Sequence, residues 1–517
     1  MPRIELLPPE LLHIIFTFIH FDFELTTTAF EKGLSRPEID IYPAFHHDQE
    51  YDTEVTQFLV EQKNQITVSK SSSLFPYALA AVCSTWKNVL SISPSFWTRV
   101  VLLVDSPPTA MEDARRYLQW SRQLPIDVFL LRASEFRVRD IFHNLPEQQR
   151  VADFIGLLQP HMHRCRSLHV DVTVNSSLPH VSDIVPSQAP LLRSLSLTCD
   201  FDYMLEEKLF IAPPRGPEVR TRLQTMEIDG HSFLRAYLQP PRWFEYQPQL
   251  RHLGISTFDH RFSSLSLHQT LCTLDFSLNF ALSSLGLTSV NFEVDTDDTE
   301  ADQFFFDRLQ ELKLEEIKPE ALFEFLRVAY FPRLMLLHLR GCEGLGKGVF
   351  DVLQPELPML AISKPESSAE EIRSLLSGWR GIALYLSGST TPYDYVVNDL
   401  TGTGTAPAAH DTPTPPPTSP LPVACRQLQI LIFLACPLPS FSSIKKMIEV
   451  RNSDVDYDDP DWRTNTAFGP AIGILEVRHC WAVPEPDSLD SPMWTQEERD
   501  WVKSKVVTFT WIDVSLR

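Results

Sequence analysis

From residue 165 onward one pattern keeps returning: an aliphatic residue, two variable positions, a second aliphatic, one variable position and a third aliphatic. Written L-x-x-L-x-L, with Ile, Val, Met or Phe admitted, it begins in full at Leu192, Leu223, Leu250, Leu271, Leu287, Leu309, Leu334, Leu357, Leu428 and Ile472. Weaker instances begin at Cys165 and Gly381. Successive starts lie 27, 31, 27, 21, 16, 22, 25, 23, 24, 47 and 44 residues apart. Leucines at alternate positions fit a strand with one face buried. A repeat of about 20–29 residues lets each strand be covered by its neighbours in a stack. The interval of 16 is too short for a repeat, so one of Leu271 and Leu287 is not expected to be a regular strand. The two longest intervals hold insertions.

Four instances continue to Asn or Cys three residues beyond the motif: Asn279, Cys342, Cys436 and Cys480. This is the leucine-rich-repeat pattern, and it predicts an α/β solenoid with parallel strands on its concave face. The competing reading is an ordinary α/β domain, whose alternating strands also supply leucines at every second place. In a solenoid the residues between the leucines face outward. Here they are Glu227, Asp229, Asp275, Asn291, Glu293, Lys313, Glu315, His338, Arg340, Tyr385, Glu476 and Arg478. A mixed-charge face of this kind suits protein recognition, and its acidic early part predicts a basic partner segment near residues 227–315. A merely solvated sheet face would carry the same residue types.

Composition narrows the function further. The net charge of −22 disfavours a general nucleic-acid or anionic-membrane binder, both of which need a basic face. Most of it sits in residues 22–70 (−6), 293–302 (−6) and 454–461 (−5). The acidity therefore belongs mainly to excursions and not to one recognition face. Prolines outnumber glycines 41 to 17, and many of them cluster at 392–422 or mark helix starts and repeat junctions. No apolar run approaches the ~20 residues of a membrane span, and the N-terminus lacks the apolar core of a signal peptide. The 8 cysteines form no C-x-x-C pair and no Cys/His cluster at zinc spacing, which predicts free thiols in cytoplasm or nucleus.

The first hundred residues are different. Residues 7–19 (LPPELLHIIFTFI) read as a short helix with proline in its first turn. Leu11, Ile15, Phe18 and Ile19 fall on one face, and Leu12 and Phe16 on another. A helix with two apolar faces has to be covered twice, once by its own domain and once by a partner. A second helical segment covers 78–90, and Ser93-Pro94-Ser95-Phe96-Trp97 follows it.

These three pieces resemble the F-box. The positions that carry the resemblance are Leu7, Pro8, Glu10, Leu11, Leu12, Ile15, Phe16, Val82, Cys83, Trp86, Pro94, Ser95 and Trp97. An acidic insert at about 20–73 replaces the short loop that usually joins the first two helices. Loop closure costs grow slowly with length, so the helices can still meet. A strand at 99–104, a helix at 110–123 and a strand at 125–130 follow. That order is similar to the expanded F-box families of mushroom-forming fungi.

The resemblance implies a substrate-receptor subunit of a cullin-based ubiquitin ligase, not itself an enzyme. Its F-box would bind a Skp-type adaptor, and its repeats a target protein. Leu7, Pro8, Glu10, Leu11, Ile15, Val82, Cys83, Trp86 and Trp97 would form the adaptor surface or its immediate support. The alternative is a non-catalytic repeat scaffold whose F-box no longer engages the adaptor. The resulting plan is F-box helices at 1–100, a bridging segment at 101–160 and a solenoid at 161–517. A Pro/Thr-rich loop at about 401–423 and an acidic loop at about 453–462 interrupt the solenoid.

Several stretches resemble reactive or ligand-binding motifs and fail on inspection. Gly341 to Lys347 fits GxxxxGK, but Gly348 stands where a phosphate loop needs Ser or Thr. Asp454-x-Asp456-x-Asp458 starts like a calcium loop, yet Asp459 and Asn465 occupy the places of its Gly and Glu. His46-His47-Asp48 has no second ligand set, and no G-x-S-x-G elbow occurs. No cofactor, metal or catalytic residue is expected. Thr412, Thr414 and Ser419 precede proline and offer phosphorylation sites in what otherwise reads as an inert spacer.

Overall fold

The computed structural model describes residues 7–20 and 76–512, apart from 106–107, 133–144, 182–183, 185–188, 202–221, 239–248, 259–265, 279–280, 295–302, 347, 354–356, 365–366, 390–391, 402–424, 426, 454, 456, 458–470 and 482–492. Apart from His20 the acidic insert lies outside these residues, as do His46-His47-Asp48, Lys347, Asn279, the three proline-directed sites and most of both loops. The chain divides into two units, Met1–Phe258 and Asp259–Arg517.

The first unit opens with helices α1 (9–20), α2 (Tyr77–Ala80) and α3 (Ser84–Ser91) and a 3-10 turn at Pro94–Trp97. Strands and helices then alternate: β1 (Arg99–Leu103), α4 (Met111–Trp120), β2 (Ile126–Leu131), α5 (Leu145–Leu158) and β3 (Cys165–Val174). β4 (Ser194–Phe201), β5 (Thr225–Asp229), α6 (Gly230–Leu238) and β6 (His252–Phe258) complete the unit. All six strands lie side by side in chain order and pair in parallel.

Register explains which side is buried. Leu195, Met226 and Leu253 stand opposite one another, as do Leu197, Ile228 and Ile255, and all six are buried. Each contributes about 2 kcal/mol of transfer free energy, which is what the repeated leucines are for. The parallel series already begins at Arg99, because Val100 aligns with Val128 and Val128 with Leu168. The stretch expected to bridge two domains therefore supplies the first two strands of the sheet.

The second unit begins with α7 (Leu267–Leu278), β7 (Ser284–Val290), β8 (Phe304–Phe305), β9 (Glu311–Glu315), α8 (Pro319–Val328), β10 (Ala329–Tyr330) and β11 (Leu336–Arg340). Next come α9 (Gly348–Val352), β12 (Met359–Ser363), α10 (Ala369–Gly378), β13 (Ala383–Ser387) and α11 (Asp394–Asp399). It closes with β14 (Ile430–Leu434), α12 (Phe441–Arg451), β15 (Ile474–Arg478), α13 (Gln496–Lys505) and β16 (Thr508–Ile512). Eight strands form one parallel series in chain order, while β8 and β10 form a separate short ladder. Each series is a parallel sheet of the mixed α/β leucine-rich-repeat solenoid type.

Local chemistry starts the helices where they are needed. Ser368 before α10 and Thr495 before α13 each make a reciprocal capping box, with Glu371 and Glu498 respectively. Ser440 caps α12, and Pro319 opens α8 at a position where its missing N–H is not needed. In α13, Glu497 and Glu498 lie at the positive end of the helix dipole and Lys503 and Lys505 at the negative end.

One backbone feature marks the repeat more sharply than leucine does. From Leu250 onward the chain turns left-handed seven residues after the start of a repeat, at Thr257, Ser289, Glu316, Gly341, Lys364, Gly388, Ala435 and His479, with φ between 44° and 64°. The N–H freed by that turn reaches the next strand: Glu316 donates to the Arg340 carbonyl at 2.7 Å, Gly341 to Ser363 at 3.0 Å and His479 to Ile512 at 2.8 Å. Gly388 shows why two of the eight are glycine. A Cβ there would stand 2.7 Å from Lys364 Cγ, on a backbone at φ +64°.

The same offset corrects two expected strands. Ser289 places the motif start at Leu282, which is buried together with Leu285 and Leu287. Leu287 is thus the last leucine of its motif and not the first, and Leu271 lies within helix α7. Leu282 falls 32 residues after Leu250 and 27 before Leu309, so the interval of 16 disappears.

Candidate docking face of the N-terminal helices

Helix α1 is built for two neighbours. Pro8 supplies the carbonyl that receives the N–H groups of Leu11 and Leu12 at 3.0 and 3.1 Å, which starts the helix. Leu12 and Phe16, one turn apart, sink into a cluster with Trp86, Val89, Leu90, Phe96 and Trp97. Phe16 meets Trp86 edge-on with ring centroids 5.2 Å apart. The other side of the helix keeps Leu11, Ile14, Ile15, Phe18 and Ile19 in solvent, and Phe18 is 71% exposed. Five large apolar side chains at i, i+3, i+4, i+7 and i+8 form one stripe, the kind of patch that marks a protein interface.

Behind that stripe stands an aromatic support. Trp97, fully buried, donates from Nε1 to the Leu90 carbonyl at 2.9 Å and stacks on Tyr117 at 5.2 Å. Trp120 lies 4.5 Å from the Trp97 ring and Tyr77 5.8 Å. The Tyr77 hydroxyl donates to the Arg99 carbonyl and accepts from the Val101 N–H, both at 2.8 Å, which fastens the helices to β1. Burial pushes the Tyr117 hydroxyl up to about 12, with Asp113 adding to the shift. Burial raises Tyr77 further still, so both hydroxyls stay neutral.

The residues expected at the adaptor surface separate into three groups. Pro8, Glu10, Leu11, Ile15 and Val82 are exposed. Leu7 and Cys83 are partly buried and pack against the cluster. Trp86 and Trp97 are buried, so they support the face without touching what lands on it. Ile14 and Tyr77 belong to this assembly and were missed. Ile14 is readable from the helical spacing, whereas nothing in the sequence gives the hydrogen bonds of Tyr77.

The sheet face opposite the leucines is less uniform than expected. Register brings Lys313, His338 and Tyr385 into one row, with Ala361 between the last two, and Glu315 and Arg340 into the next. Glu315 is buried between Lys313 Nζ at 3.1 Å and Arg340 Nη1 at 2.7 Å. His338 reaches Ser363 at 2.8 Å, and Ser363 reaches Ser387 at 2.6 Å. Arg478 pairs with Glu476 at 2.7 Å, and Glu227 accepts from Ser196 at 3.2 Å.

Four expected face residues are elsewhere. Asp229 is buried and accepts the N–H groups of His231 and Ser232 at 3.1 Å, so it caps α6. Asp275 lies on α7, since its motif is helical. Asn291 and Glu293 follow β7, displaced by the shift in register, and Glu293 bridges to Ser266. Asp229 thus caps a helix and Glu315 is held between two cations.

In the first unit the same face carries His169, stacked on Phe129 with centroids 4.8 Å apart. Among the described residues neither ring nitrogen has a hydrogen-bond partner. Burial, assisted by Arg99, lowers its pKa to about 3. No group of three or more His, Cys, Asp or Glu among the described residues is placed to hold a metal ion. No described helix is long and apolar enough to cross a membrane.

Comparison with known proteins adds little. No family model matches the chain, and no curated protein matches it. Among solved structures it is similar to a chain of the one titled "Crystal structure of Rad7 and Elc1 complex in yeast", at 12% identity and a TM-score of 0.31. That match covers 84% of this chain and 94% of the other.

Proposed function

We propose that the protein is a substrate-receptor subunit of a cullin-based ubiquitin ligase, in which α1 docks a Skp-type adaptor and the repeat face holds a target protein. The observation that carries this reading is the division of α1. Leu12 and Phe16 complete the internal core, while Leu11, Ile14, Ile15, Phe18 and Ile19 remain in water on a segment that resembles the F-box. Leaving such side chains uncovered forgoes about 25 cal/mol per Å² of apolar area, a loss that partner binding recovers.

Capture of a purified Skp-type adaptor by the full chain tests the reading. Wild type is expected to bind it. Leu11→Asp and Phe18→Asp are expected to abolish capture while leaving the circular dichroism spectrum unchanged. Wild type that fails to bind, or both variants binding as wild type does, would overturn the proposal.

A further inference from the structure

Three repeats carry cysteine eight residues after the motif start: Cys342, Cys436 and Cys480. At this place, just past the left-handed turn, the thiol sits beneath a strand end and finds backbone carbonyls. Cys342 Sγ lies 3.4 Å from the Leu314 oxygen and 3.5 Å from that of Arg340, and Cys480 Sγ lies 3.5 Å from that of Arg478. In sequence the residues eight places after the preceding and following motif starts are Ile317 and Pro365, so neither adjacent repeat carries a cysteine at this offset.

Cys436 and Cys480 differ because their repeats are consecutive. β14 and β15 pair directly, and one residue beyond the two cysteines Pro437 and Trp481 form a further parallel bridge. The two sulfurs are therefore brought to 3.6 Å from each other, with both residues buried. The contact polarises the pair. The hydrogen bond with Cys436 lowers the Cys480 thiol pKa against the opposing effect of burial, while the same bond and burial raise that of Cys436.

We propose that Cys436 and Cys480 form an oxidative modification site, at which a hydroperoxide converts the two thiols into an intramolecular disulfide. The Cys480 sulfur attacks one peroxide oxygen, the O–O bond breaks and a sulfenic acid forms as one water leaves. The Cys436 sulfur then displaces the hydroxyl, which leaves as a second water. With hydrogen peroxide, two S–H bonds and one O–O bond are lost, and one S–S bond and two waters are gained. Two electrons pass from sulfur to oxygen. The sulfurs need approach by only about 1.5 Å to reach disulfide length. The bond would tie two consecutive repeats together across the excursion that contains α12, and a cross-link over so long a loop restricts the unfolded chain strongly.

The test treats the folded full-length protein with hydrogen peroxide, blocks residual thiols under denaturing conditions and digests it with trypsin without reduction. The expected product joins the peptides 427–445 and 479–499 and is lighter than their sum by two hydrogens. It disappears on reduction and is absent from Cys436→Ser. Oxidised wild type is also expected to melt about 5 °C or more above the reduced protein, a shift absent from Cys480→Ser. Three results overturn the proposal: a sulfinic acid at Cys480 without the joined peptide, linkage of either cysteine to a different one, or two thiols that stay unmodified until the chain is unfolded.

Discussion

Replacing Trp97 by alanine should loosen the N-terminal helices without touching the face they present. The ring is wholly buried between Tyr77, Tyr117 and Trp120. Removing so large a side chain from a packed site costs about 3–5 kcal/mol. The Leu90 carbonyl also loses its Nε1 donor, which adds about 1 kcal/mol. A total near 5 kcal/mol corresponds to roughly three to four orders of magnitude in the local opening equilibrium. Hydrogen exchange followed by mass spectrometry on the full chain reads this directly in peptides covering residues 84–103. Trp97→Phe keeps the stacking and loses the donor, so it should fall between wild type and alanine. Phe18→Ala is the control: at 71% exposure its removal should change exchange less than about threefold. Less than a tenfold change in Trp97→Ala, or an equal effect from Phe18→Ala, would refute the division of α1 and its neighbours into support and surface.

Two further outcomes follow from the sheet. Gly388→Ala forces a side chain onto a left-handed backbone and against Lys364, and should cost about 1–2 kcal/mol in a denaturant melt. Ala435→Gly, at the equivalent turn of the next repeat with φ 46°, should stay within about 0.5 kcal/mol because relieved strain offsets lost entropy; equal losses at both sites would contradict this. His169 has a folded pKa of about 3 against 6.5 when free, so at intermediate pH the unfolded chain binds the extra proton. It contributes nothing above 6.5, and below that costs up to about 1.4 kcal/mol of stability per pH unit until the folded ring titrates. His169→Phe keeps the ring contact with Phe129 and removes the titration. Its stability relative to wild type should be flat above pH 7 and improve below pH 6, and a constant difference across that range would rule the mechanism out.

Much of this fold was legible because leucine alternation and strand burial are the same physical fact. The strands beginning at Cys165, Ser194, Thr225, Glu311, Leu336, Met359, Ala383, Ile430 and Ile474 all lie under motifs readable in the sequence. Leu271 misled because α7 also needs buried leucines, and a short run does not distinguish the two periods. β16 escaped because Trp511 stands at the last place of a motif whose first two places, Val506 and Phe509, otherwise fit. In α1, the separation of Leu12 and Phe16 from Leu11, Ile15, Phe18 and Ile19 was readable, since a helical wheel needs only the sequence. Which tryptophans stay inside was not, because burial of Trp86 and Trp97 depends on α4 and on aromatic contacts far along the chain. The fate of Asp229 was hidden for a similar reason: one residue separates a face position from a helix cap.

The strands of the second unit are joined by connections of very unequal length, from 18 residues between β11 and β12 to 42 between β13 and β14. Their spacing ignores this, because hydrogen bonds hold neighbouring strands ~4.8 Å apart whatever lies between them in sequence. The outward side chains are therefore ruled like lines on a page, with a pitch that an inserted or deleted loop cannot alter. Loops can drift in length and composition while the lettering on those lines keeps its place, and a ligand that reads several lines is measuring a distance that the backbone alone sets.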